Sequence, residues 1–323
     1  MGYVAGETIL DDEFNVFVAS SSDPYGFNHF AGTGATVYGL GQPAIPTVAG
    51  GTTTIAAAQW NSLLAGIDNI ANHTNDTMTA RTAVTAGDTI AIKSAVAADL
   101  ATLAASVAGG SVNATAISAG SELQSSRSST RYVGSHIVEH TVTFANANNM
   151  RFFFNAGGKI RVNLTRVANG GSSATSKDDS VDEMITAMGD FDIASIASTR
   201  SGTTETLTTD GLAIGFQDVT TSYQTVFLLT QANGTYTSMT LKGEIKGNAT
   251  AGSTTNVTIK MSLTDADSGD ILYTDGNVSS VDQFENFIGV TDFATKLILP
   301  TTAQGLDPVY TLSGSAETSN TTA

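Results

Sequence analysis

The stretch His140 to Leu164 reads HTVTFANANNMRFFFNAGGKIRVNL, and its pattern decides the fold class. Val142 and Phe144 alternate with Thr141 and Thr143, the period-two signature of a half-buried strand. Asn146 then stands where a helix N-cap belongs, and Met150, Phe153 and Phe154 form the apolar side of a short helix. Gly157-Gly158 supplies a left-handed exit that lets the chain reverse. Ile160, Val162 and Leu164 next point inward while Lys159, Arg161 and Asn163 point outward. The stretch is a strand, a helix and a strand, and its phenylalanines build a core and catalyse nothing.

Toward the C-terminus the period stays near two. Strands are expected at Val138 to Phe144, Lys159 to Val167, Gln224 to Thr230, Thr237 to Lys246, Val257 to Leu263, Lys296 to Leu299 and Val309 to Leu312. Asn233-Gly234 and Asp275-Gly276 mark turns. Ser180 with Glu183 forms a capping-box pattern for one short helix that buries Val181, Met184, Ile185 and Met188 and stops at Gly189. Residues 131–323 read as a β-rich, sandwich-like domain with short helices, with a subdomain split placed near residue 232.

Toward the N-terminus the reading changes twice. Residues 108–130 are rich in Ser, Ala, Gly and Asn and are expected as a linker. Residues 53–107 carry two helical patterns. Trp60, Leu63, Leu64 and Ile67 repeat at helical spacing behind Thr54 as cap, and Val96, Leu100 and Leu103 follow Asp88 as cap. The second pattern covers only two heptads, too few for a confident coiled coil, so packing between the helices and an oligomeric stalk both stand. These seven residues are the candidate anchoring and oligomer positions. Residues 1–52 hold Pro24, Pro43 and Pro46 among many glycines and read as an extended arm with strand pieces such as Asn15 to Ala19. The fold class is therefore α+β, mostly β.

Composition bounds the partners. The 323 residues carry a net charge of −16, and residues 1–125 contain only Arg81 and Lys93 as cations. Nucleic acid is not an expected partner, because phosphate contacts need clustered Lys and Arg. There are no cysteines, so no disulfide or thiolate metal site arises. No run of eighteen apolar residues occurs, so no membrane partner is expected. Asp11, Asp12 and Glu13 stand where a secretory leader would carry its apolar core, so the expectation is a cytoplasmic product or one assembled into a particle and released by lysis.

Two motifs invite chemistry. His136-Ile-Val-Glu139-His140 fits the H-x-x-E-H pattern of inverted zinc peptidases. That chemistry requires both imidazoles on one helical face, beside the Glu. Here the segment alternates as a strand, so the two imidazoles lie about 13 Å apart and Glu139 points to the other face. Asp265, Asp267 and Asp270 suggest a weak calcium loop, but Gly269 replaces a ligand position and the distal Glu is missing. No catalytic or cofactor-binding residue is assigned.

His140 to Leu164 also resembles a family of tailed-phage virion structural proteins, as in marine and cyanobacterial phages. GETILDDEFNVF near the start, AAAQWNSLLAGIDNIANHT, DEMITAMGDFDI and LAIGFQDVTTSYQTVF fit the same family, so the resemblance spreads over most of residues 1–230. The expanded SSATSKDDS segment departs from it. The resemblance implies a non-enzymatic tail, neck or fibre-type component located in the virion. Its implied partners are other virion proteins and copies of itself, assembled through the N-terminal region. The alternative is a receptor- or glycan-binding virion module that meets the host surface.

Overall fold

The computed structural model describes residues 11–32, 39–50, 55–88, 93–113, 115, 117–132, 134–167, 176–194, 199–200, 202, 207–209, 219–231, 238–266, 271–272, 283–284, 287–300 and 309–317. The chain divides into two compact units. The first comprises Met1–Ser118, Ala145–Gly158 and Leu299–Val309; the second comprises Ala119–Phe144, Lys159–Ile298 and Tyr310–Ala323. The fold is α+β and mostly β, as the patterning indicates.

The first unit contains α1 (Asp11–Val18), α2 (Phe27–Phe30), α3 (Ala57–Thr74), α4 (Lys93–Ala108) and α5 (Ala147–Asn155). The arm is less extended than its Gly and Pro content suggests. Asn15 to Ala19, expected as a strand, belongs to α1 through Val18. Asp11, Asp12 and Glu13 fill the first turn, where carboxylates meet the positive end of the helix dipole. Phe14 and Val18, four residues apart, are both fully buried. Residues 39–49 carry no regular structure. Gln42, Ile45 and Val48 are buried there while Pro43, Ala44, Pro46 and Thr47 are exposed, a period of three residues.

Thr54, the cap expected for the first helical pattern, lies outside the described residues; α3 begins at Ala57 behind Ala56. Its side-chain cap is half a capping box, with the Gln59 Oε1 accepting from the Ala56 N–H at 2.9 Å. Asn75 ends it in the left-handed region at φ 63°. Asp88, expected to cap the second helix, instead accepts from the N–H and hydroxyl of Thr85 and closes a turn. α4 begins at Lys93, five residues after Asp88.

α5 confirms the central stretch. Asn146 caps it through Oδ1, which accepts the Asn149 N–H at 2.9 Å. Met150, Phe153 and Phe154 are buried, and Gly157 leaves the helix at φ 90°. A Cβ on Gly157 would lie 2.1 Å from Val112 Cγ1, so a side chain is barred by both backbone and neighbour. One difference is topological: α5 belongs to the first unit, whereas its flanking strands belong to the second.

The second unit is a sandwich. One sheet has the order β1-β12-β3-β4-β5, from Ile117–Tyr132, Phe287–Pro300, Lys159–Val167, Phe191–Ile193 and Thr199–Arg200. The other has the order β13-β2-β9-β8-β7-β6, from Tyr310–Glu317, Gly134–Phe144, Asn256–Asp265, Met239–Gly247, Gln224–Thr230 and Leu207–Thr209. A small ribbon pairs β10 (Ile271–Leu272) with β11 (Gln283–Phe284). β3 and β7 span the residues expected of them. The expected linker is corrected from Ile117 onward, where the chain enters β1. The split near residue 232 is corrected too, since β7 and β8 on either side of it pair in one sheet. The short helix α6 (Ser176–Met188) begins four residues before Ser180, so that residue is buried inside the helix and does not cap it.

Aromatic and ionic contacts fix the layers of this unit. Phe191 of β4 meets Phe227 of β7 with ring centroids 4.6 Å apart, joining the two sheets. Gly243 leaves the space for it, because a Cβ there would fall 2.3 Å from the Phe227 ring. Arg166 at the end of β3 is buried against Asp178 of α6 at 3.0 Å and also reaches Asp182. Removing one partner of so buried a pair would leave an uncompensated charge.

Candidate functional site

The H-x-x-E-H residues lie on β2, which alternates as the patterning requires. His136, Val138, His140 and Val142 are buried, and Glu139 faces the other side. There Glu139 accepts a hydrogen bond from the Tyr223 hydroxyl. Two ammonium groups, Lys246 and Lys260, lie 4.2 and 4.0 Å from the centre of the Tyr223 ring. Lys242 and Lys260 both pair with Glu244 at 2.6 Å, so this outward patch is a paired surface network.

The two imidazoles look into the sandwich. His136 Nδ1 is 2.7 Å from Thr291 Oγ1, and His140 Nδ1 is 2.8 Å from Thr295 Oγ1. Both threonines come from β12, so each pair ties the six-stranded sheet to the five-stranded one. The repeat of four residues is the same on both strands, which makes the pairs two rungs of one ladder. His140 Nε2 is also 2.8 Å from Ser125 Oγ on β1. Phe293, between the two threonines, sets its ring 5.0 Å from His136. Burial holds the His140 imidazole down to about 4, well below its ordinary 6.5. An imidazole kept neutral and bonded through both nitrogens is an interior strut.

Asp265, the first of the calcium candidates, ends β9 and is buried; Asp267 and Asp270 lie outside the described residues. Among the described residues no group of three or more metal-ligating side chains comes together, and no helix is long and apolar enough to cross a membrane.

The anchoring positions are corrected. Trp60, Leu63, Leu64 and Ile67 of α3 and Val96, Leu100 and Leu103 of α4 all lie in the core of the first unit, none more than 7% exposed. Phe14 and Phe17 approach Trp60 with centroids at 6.5 and 6.1 Å. The two helices close on each other and on the arm, so these side chains leave no apolar stripe for a second copy.

What the patterning missed is a set of asparagine clamps. Asn15 of α1 donates from Nδ2 to the Val48 carbonyl at 2.9 Å and accepts the Val48 N–H at 2.8 Å. Asn28 of α2 treats Ile45 the same way at 2.8 and 3.0 Å. Asn61 of α3 does so for Val84, both at 2.9 Å. Each clamp satisfies the backbone of one apolar residue in a segment that has no ladder of its own. Gln42 joins Asn69 and His73 through its side-chain amide. A cavity of about 440 Å³ lies beside this segment, lined among others by Phe27, Pro43, Ile45, Ser62, Gly66 and Asn69. None of its lining residues titrates, so it offers shape and amides but no acid or base. The only local signal for the clamps was an Asn near each short apolar run, too common in this chain to mark them.

No protein-family model matches the chain, nor does any curated protein or solved structure.

Proposed function

We propose that the chain is a non-enzymatic structural subunit of a tailed-phage particle, in a tail, neck or fibre-type position. In that role it would contact other virion proteins and further copies of itself. The observation that carries this reading is the His140–Leu164 unit. It resembles such subunits in sequence, and its polar residues serve capping, register and interior pairing. The histidines that suggested zinc chemistry work as struts between sheets.

The sheet ends favour assembly. β1 terminates the five-stranded sheet and β13 the six-stranded one. A terminal strand is where a strand from another chain can add by backbone hydrogen bonding. Because the α3 and α4 residues are internal, the proposed self-association uses sheet ends or polar faces and not a helical stalk. Electron microscopy of the purified full chain over a range of concentrations tests this. Rings, fibres or discrete oligomers are expected, and single subunits at every concentration would count against the reading.

A further inference from the structure

The His–Thr ladder has a consequence for the sandwich as a whole. His136 and Thr291 have no exposed surface, Thr295 is 1% exposed and His140 is 2% exposed. A neutral imidazole offers one N–H and one lone pair. His140 uses both, toward the hydroxyls of Thr295 and Ser125, each of which can donate or accept. Gaining a proton makes both ring nitrogens donors. Whichever hydroxyl donated must then reverse, and a charge arises where solvent does not reach. The ring also packs closely against the neighbouring strand. Gly314 of β13 sits opposite His140, and even a Cβ there would be 2.3 Å from the ring and 2.7 Å from Leu123.

We propose that the His136–Thr291 and His140–Thr295 pairs are an acid-sensitive latch, holding the two sheets together while the imidazoles are neutral and releasing them on protonation. Most of the charged groups around the latch face away from it. On β2, Glu139 faces outward to Tyr223. On β9, Lys260 faces outward to Glu244, and buried Asp265 sits opposite Gly134, one inward step beyond His136. On β12, Asp292 and Lys296 alternate to the face away from Thr291 and Thr295, and Lys296 pairs with Glu122 of β1. On β13, Tyr310 stands opposite Phe144 and Glu317 opposite Ile137, at the two ends of the pairing. Of these groups Asp265 and Tyr310 share the inward face with the histidines, Asp265 beyond His136 and Tyr310 at the other end, opposite Phe144.

The low pKa of His140 agrees with this arrangement and sets the direction. The unfolded chain binds the proton near 6.5 and the folded chain only near 4. The contribution of the latch is therefore whole above pH 6.5 and is lost progressively as pH falls toward 4. Each pH unit across that window favours the opened state by up to about a factor of ten through His140.

The test follows the imidazole ring signals of the full chain by NMR from pH 8 to 3.5, with backbone exchange of β2 and β12 corrected for intrinsic rate. The His140 ring should stay neutral well below 6.5, and protection of β2 and β12 should fall as the rings protonate. The His136→Gln/His140→Gln chain should keep its protection through the same pH range. Rings that titrate near 6.5 with protection intact would overturn the proposal, as would a glutamine chain with the same acid midpoint. If the glutamine chain does not fold, the ring titration of the native chain decides. Particle membership is not involved, so this result and the structural-subunit reading can fail separately.

Discussion

The two units order their chain by different means. In the second unit each strand is held by a run of ladder bonds, ten paired positions between β2 and β9 alone. Losing one side chain there leaves most of the framework standing. In the first unit the segments around Ile45, Val48 and Val84 have no ladder, and single asparagine side chains do the work of a neighbouring strand. The interior differs in the same sense. The first unit gathers aromatic and aliphatic groups around Trp60, while the second places histidine and threonine rungs between its sheets. Apolar packing tolerates approximate alignment; hydrogen-bonded rungs fix which residues face each other.

Substitutions can break this contrast or sharpen it. Trp60→Ala should act most strongly, removing the group on which Phe14 and Phe17 rest, at a cost of about 3–5 kcal/mol. Hydrogen exchange should show protection lost in α1, α3 and α4 while β8 and β9 keep theirs; equal loss in both would show one cooperative core. Asn28→Ala leaves the Ile45 N–H and carbonyl without their partner and should cost about 2 kcal/mol. Limited proteolysis should then cut within residues 39–50 faster than in the native chain. Asn146→Ala removes the cap of α5 and should cost about 1 kcal/mol, read from chemical denaturation.

The sequence was most readable where local rules and tertiary packing agree. β3 alternates Ile160, Val162 and Leu164 with Lys159, Arg161 and Asn163 because one face is core. Arg161 reaches Asp192 on β4 at 2.7 Å on the other face. The cap at Asn146 and the turn at Gly157 were legible for the same reason. β1 was not, because it ends its sheet and its side chains through Ser126 are half-buried or exposed, which leaves a Ser-rich strand without apolar alternation. α1 was hidden by the Gly and Pro around it, although its acidic first turn and the Phe14–Val18 spacing were present. The rungs were beyond local reading, since each joins residues 155 positions apart. Strand geometry could exclude a shared metal at His136 and His140 but could not supply Thr291 and Thr295 as their partners.

The central claim, that this chain is a built-in part of a particle, is tested most directly by quantitative mass spectrometry of gradient-purified particles. The account predicts the full chain in fixed, multiple copies per particle, retained after high-salt washing. Its absence from the particles, or its loss in the wash at irregular amounts, would contradict the claim.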